Sequence, residues 1–132
     1  MTDNKLKVLV VEDEQLLLEA IVKKLELSGI VALPFSSGKQ AVRYLHEHPL
    51  DLPNVIWLDY YLKDMDGLEF MGAIKGDEQL NKVPVVVVSN SASSERVSRM
   101  LALGAKQYLL KAEYRLDEII DIIKGQLASG TL

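Results

Sequence analysis

Val55-Ile56-Trp57-Leu58-Asp59 runs four apolar residues straight into a carboxylate. A strand that is apolar at every position is covered on both faces, as in a parallel sheet flanked by helices. Two similar runs lie on either side of it in the chain, Val8-Leu9-Val10-Val11 and Val85-Val86-Val87-Val88. Ile30-Val31-Ala32-Leu33 and Gln107-Tyr108-Leu109-Leu110 complete a set of five. Between the runs the apolar period becomes helical. Leu17, Ile21 and Leu25 lie four apart, and Leu116, Ile119, Ile123 and Leu127 form a stripe along the last segment. Ser37 with Gln40 and Asp66 with Glu69 read as capping boxes, and Gly29, Gly76 and Gly104 fall where the first, third and fourth helices should stop. The chain therefore reads as α/β: a strand–helix pair repeated five times, forming an open sheet with helices on both faces.

The 132 residues suit one domain spanning 1–132, with a core from about 7 to 127 and a loose tail, Ala128-Ser129-Gly130-Thr131-Leu132. A hydrophobic fraction of 48% with 26% charged residues excludes wholesale disorder. The 19 acids against 15 bases leave a net charge of −4, and no basic run offsets it, so direct nucleic-acid binding is not expected. Cysteine is absent, which removes disulfides, thiolate zinc sites and thiol nucleophiles. No apolar stretch is long enough to cross a bilayer, and Met1-Thr2-Asp3-Asn4-Lys5 lacks the apolar centre of a signal peptide. No membrane association is expected, and the expected location is the cytoplasm.

Ligands of open α/β sheets gather beyond the carboxyl ends of the strands. Glu12, Asp13 and Glu14 follow the first run, Asp59 ends the third, Ser89-Asn90-Ser91 follows the fourth and Lys111 follows the fifth. Each has an ordinary reading alone: Asp13 as a helix cap, Ser89 as a strand-end hydroxyl bonded to backbone, Lys111 as a snorkelling side chain. Asp59 resists such a reading, because a carboxylate closing an apolar run is costly unless paired or coordinated. Glu12, Asp13 and Asp59 repel one another unless a divalent cation lies between them. Oxygen donors without His or Cys select Mg²⁺ or Mn²⁺. With Lys111 and Ser89 to bind phosphoryl oxygens, the set describes a site where Asp59 becomes an aspartyl phosphate.

In order and spacing, four segments resemble the receiver domain of two-component response regulators, of the single-domain type. They are Val10-Val11-Glu12-Asp13-Glu14, Trp57-Leu58-Asp59 followed by Met65-Asp66-Gly67, Val87-Val88-Ser89-Asn90, and Gly104-Ala105-Lys106-Gln107-Tyr108-Leu109-Leu110-Lys111. The resemblance implies a flavodoxin-like (βα)5 sandwich whose five parallel strands are ordered 2-1-3-4-5. It implies that Asp59 is the phosphoacceptor, and that Glu12, Asp13, Asp59 and the Tyr61 backbone carbonyl hold the metal. It makes Ser89 the switch hydroxyl, Tyr108 the switch aromatic and Lys111 the phosphoryl-binding cation. Tyr61 and Ser91 then tune how readily water attacks the acyl phosphate, the Tyr61 ring being expected to shield it. The implied phosphodonor is a histidine kinase or a histidine phosphotransfer domain, expected beside the first helix, where Leu16, Leu17 and Leu18 exceed what one buried stripe needs. The implied output is a phosphorylation-dependent change in the face made by the fourth helix, fifth strand and fifth helix. That makes the chain a signalling switch rather than an enzyme, acting on an unspecified downstream protein.

The sequence departs from the family pattern in places. Lys63 stands where the family often has Pro and is expected to loosen the loop after Asp59. Ala112 replaces the Pro that usually follows the lysine in a cis peptide. A cis bond before Ala costs about 2.5–4 kcal/mol, so a trans Lys111–Ala112 bond and a rearranged following loop are expected. Ring-turning by Tyr108 competes with an ordinary half-buried aromatic whose hydroxyl meets water. Arg96 and Arg99, with Asp117, Glu118 and Asp121, suit pairing across a homodimer or simple solvation. A phosphatase of the haloacid-dehalogenase type needs a second Asp at position 61, where Tyr stands. A flavodoxin-like phosphate binder is opposed by the acids after the first strand. A receiver-like interaction module that works without phosphorylation remains the alternative.

Overall fold

The computed structural model describes residues 5–129. Its elements alternate: β1 (Lys7–Val11), α1 (Gln15–Leu27), β2 (Val31–Phe35), α2 (Gly38–Glu47), β3 (Val55–Asp59), α3 (Gly67–Lys75), β4 (Val85–Ser89), α4 (Ser94–Ala102), β5 (Gln107–Leu110) and α5 (Leu116–Ser129). Short 3₁₀ turns at Leu80–Lys82 and Lys111–Glu113 precede β4 and follow β5. The five strands form one parallel sheet ordered β2-β1-β3-β4-β5. The α/β class, the order 2-1-3-4-5 and the helices on both faces are as the sequence and its resemblance led us to expect.

Every position of β3 and β4 is buried, because successive side chains enter opposite cores. Val8, Val10, Val55, Trp57, Val86 and Val88 pack with α1 and α5. Leu9, Val11, Ile56, Leu58, Val85 and Val87 pack with α2, α3 and Met100 of α4. Continuous apolar runs are what two-sided burial requires.

Three local expectations are corrected. The second strand runs Val31–Phe35 rather than Ile30–Leu33. Gly29, at φ +78°, turns the chain so that the Ile30 N–H closes on Leu25 O at 3.0 Å, and Ile30 is buried beneath the end of α1. Pro34 is tolerated because β2 is an edge strand, paired only with β1. In α1 the buried stripe is Leu18, Ile21 and Leu25, with Leu17 packed partly against it and Leu16 left 79% exposed. The third correction concerns the tail: α5 continues through Ser129, so its first two residues are helical, and 130–132 lie outside the described residues.

The Asp66–Glu69 capping box is complete, with bonds of 2.9 and 3.2 Å. Ser37 supplies only half of its box, accepting from Gln40 N at 3.3 Å. Its hydroxyl donates instead to Asp64, which also accepts the Gly38 and Lys39 amides at 3.1 and 2.9 Å. These bonds hold the Asp64 carboxyl below its usual pKa, outweighing the opposing effect of burial. The loop after β3 is thus fastened to the start of α2.

Gly67 opens α3 against the buried Tyr60 ring, where an added Cβ lies 2.7 Å from Tyr60 Cδ2 and 3.1 Å from Met100 Cε. Gly67→Ala is expected to cost about 1–3 kcal/mol by overpacking. Urea unfolding checks this, and an unchanged midpoint contradicts it.

Candidate functional site

The strand order sets β3 between β1 and β4, with β5 beyond, so their carboxyl ends share one rim. Glu12 stands just past β1, Asp59 and Ser89 end β3 and β4, and Lys111 stands just past β5. Glu12, Asp59 and Ser89 are the buried polar side chains among the described residues, at 2%, 7% and 0% exposure. Polar groups buried together at the open end of a sheet mark a site rather than a core.

Lys111 Nζ donates to Glu12 Oε1 at 2.9 Å and lies 3.5 Å from Asp59 Oδ2. The expected trans bond to Ala112 is present, since no peptide bond is cis among the described residues, and Lys111–Glu113 forms the 3₁₀ turn. That turn still delivers the ammonium to the carboxylates. Burial opposes the Lys111 charge, but the hydrogen bond to Glu12 and the nearby Asp59 raise its pKa above the ordinary lysine value. Burial first, then the charge of Glu12, pushes Asp59 up to about 7 against the pull of Lys111. One carboxylate of the cluster is therefore poised to hold a proton when no further cation is present.

Glu12 Oε2 accepts the Glu14 amide at 3.0 Å. Asp13 is not a helix cap: Glu14 occupies the cap position of α1, and Asp13 Oδ2 accepts the Lys63 amide at 2.6 Å. Lys63 therefore ties the loop after Asp59 to the loop after β1, correcting the expectation that it loosens this segment. Proline, lacking an N–H, cannot make that bond.

Ligand atoms of Glu12, Asp13 and Asp59 lie within 4.8 Å of one another. Three clustered carboxylates with a single ammonium beside two of them, and burial together with Glu12 raising the Asp59 pKa, fit a hard divalent cation.

Around this centre, the half-buried Tyr108 ring lies 6.1 Å from that of Tyr60, and its hydroxyl donates to the Ser91 carbonyl at 2.8 Å rather than to water alone. The buried Ser89 Oγ accepts the Ser91 amide at 3.4 Å. Tyr61 is half exposed and bonds Arg96 through its hydroxyl. The sequence reading offered Arg96 for pairing across a homodimer or for solvation; in the structure its guanidinium lies over the Tyr60 and Tyr61 rings. The adjacent Tyr60-Tyr61 pair is the signal that could have found it. Asp117 and Glu118 are likewise engaged within the chain, by Lys24 and Arg115.

Residues 8–124 match the family model described as the response regulator receiver domain. The chain is 32% identical over 124 residues to the transcriptional regulatory protein KdpE of Mycobacterium tuberculosis, covering 94% of this chain and 52% of KdpE. It thus spans about half the length of that relative. It is 30% identical over 123 residues to the polar-differentiation response regulator DivK of Brucella ovis, covering 93% of this chain and 97% of DivK. Among solved structures, the receiver domain of the Francisella response regulator 1452 superposes with a TM-score of 0.81 at 26% identity, covering 94% of this chain and 98% of that one. No helix among the described residues is long and apolar enough to cross a membrane. Five parallel strands in the order 2-1-3-4-5, an acidic pocket at their carboxyl ends and the match over residues 8–124 have one reading: the chain belongs to the response regulator receiver domain family of two-component systems.

Proposed function

We propose that this chain is a phosphorylation-driven signalling switch, receiving a phosphoryl group on Asp59 from a histidine kinase or a histidine phosphotransfer domain. The observation that carries the reading is Asp59 itself: a buried carboxylate at a strand end, flanked by two acids and the Lys111 ammonium. An Asp59 oxygen attacks phosphorus, and the bond from phosphorus to the donor breaks. Lys111 and the Ser89 hydroxyl bind phosphoryl oxygens, and Lys111 gives up part of its contact with Glu12 to do so. Glu12, Asp13, Asp59 and the Tyr61 backbone carbonyl would hold Mg²⁺ or Mn²⁺, which supplies charge neutralisation for the incoming phosphoryl group when bound.

Ser89 leads into the loop carrying Ser91, whose carbonyl holds the Tyr108 hydroxyl. Movement of Ser89 toward a phosphoryl group therefore acts on Tyr108 and on the α4–β5–α5 face, which binds a downstream protein. We place the protein in the cytoplasm as a single receiver domain over residues 1–132, binding neither nucleic acid nor membrane directly. The phosphodonor docks beside α1, where Leu16 is the exposed member of its leucine triplet. Arg96, Asp117 and Glu118 are engaged within the chain, so of the charges that suit pairing of copies through α4–β5–α5 it is Arg99 and Asp121 that carry it.

Intact-protein mass spectrometry after incubation with acetyl phosphate tests the reading. One base-labile phosphoryl adduct is expected, dependent on Mg²⁺ and absent from Asp59→Asn. A folded protein that forms no adduct, and that shows no response to a beryllofluoride mimic, is instead an interaction module independent of phosphorylation.

A further inference from the structure

Arg96 belongs to α4, yet its guanidinium lies over the loop that follows Asp59. The guanidinium carbon is 4.8 Å from the Tyr60 ring centroid and 4.9 Å from that of Tyr61. One nitrogen donates to the Tyr61 hydroxyl, and another reaches Ser91 Oγ at 3.3 Å and the Ser91 carbonyl at 3.5 Å. The two tyrosine rings meet edge-on at 4.8 Å, which fixes Tyr61 against the buried Tyr60. Tyr61 and Ser91 stand two residues beyond Asp59 and Ser89, the last residues of neighbouring strands β3 and β4. The guanidinium thus spans the notch between these strand ends on the side of α4. A planar fork with two rings against it can hold both partners, which a lysine ammonium cannot.

We propose that Arg96 is a positioning residue for the phosphorylated protein: by tying Tyr61 to Ser91 it closes the α4-side approach to Asp59 and slows loss of the phosphoryl group to water. The inference rests on the phosphoacceptor reading above. In that loss a water oxygen attacks phosphorus and the bond from phosphorus to the Asp59 oxygen breaks. Asp59 departs as a carboxylate, and the proton of the water passes to inorganic phosphate or bulk solvent. Arg96 touches none of these atoms; it acts by holding Tyr61 where the ring obstructs the water.

The test loads the protein with acetyl phosphate and Mg²⁺, removes the donor and follows the adduct by intact mass. Arg96→Ala is expected to shed the adduct about three to ten times faster than the native protein, the scale of a lost cation–π and hydrogen-bond contact. Arg96→Lys is expected to decay nearly as fast as Arg96→Ala. In a Tyr61→Ala background, Arg96→Ala is expected to add nothing further. Ser93→Ala removes the cap of α4, whose hydroxyl accepts the Arg96 amide at 3.1 Å, and is expected to lower stability with decay unchanged. Decay of Arg96→Ala at the native rate overturns the inference, as does an equal acceleration in both Tyr61 backgrounds. Absence of any adduct on the native protein appears before a variant is compared; it overturns the phosphoacceptor reading and the inference together.

Discussion

Lys111→Met is expected to lower the stability of the metal-free protein by about 3 kcal/mol at pH 8, the scale of breaking a buried ion pair from one side. Glu12 is 2% exposed, and Lys111 is the cation in salt-bridge contact with both Glu12 and Asp59 among the described residues. Methionine fills the volume of the stem but leaves two carboxylates facing each other without a counter-charge. The loss is expected to shrink toward pH 5.5, where Asp59 takes up a proton, and to shrink again in excess Mg²⁺. Urea unfolding across those conditions measures it. An unfolding midpoint equal to that of the native protein at pH 8 contradicts the assignment of Lys111 as the site's counter-ion.

Asp59→Asn is expected to move stability the other way. Burial first, and then the charge of Glu12, push the native carboxyl up to about 7 in the folded chain, well above an ordinary aspartate. The folded state therefore holds this proton more tightly than the unfolded state does. Its contribution to stability is fully present below about pH 4 and is lost as pH rises through 7. Asparagine has no proton to lose. The variant and native proteins should unfold alike near pH 4, with the variant ahead by up to about 4 kcal/mol at pH 8 in the absence of metal. Mg²⁺ then stabilises the native protein and closes the gap, because a cation among Glu12, Asp13 and Asp59 favours the ionised form. Parallel pH profiles for the two proteins contradict the pKa assignment.

The legible part of the molecule was the part governed by burial on both faces. β3 and β4 announce themselves because each residue enters one of two cores, and Asp59 is conspicuous because it ends such a run. β2 was misplaced for the opposite reason. At the sheet's edge it is only partly buried, so its side chains obey no strong pattern and a proline can sit within it. Glu12, Asp13, Ser89 and Lys111 could be placed on one rim from strand ends alone. The contacts that tune the site could not. Asp64 caps α2 from a loop distant in sequence, the Lys63 amide reaches Asp13, and Arg96 turns back onto Tyr61. These bonds depend on how loops meet after the sheet has assembled, and residue type alone does not encode that.

Trp57 is the chain's single tryptophan, buried in β3 two residues ahead of Asp59. It shares with Lys111, Leu17 and Ile119 the wall of a cavity of about 410 Å³ between α1 and α5. The protein therefore carries an internal optical reporter at its own centre. If an anion bound at Asp59 draws the Lys111 ammonium toward it, the electric field at the indole is expected to change and the emission spectrum to shift without any attached dye. Occupancy of the acidic pocket can then be followed in real time, on unmodified protein, by light alone.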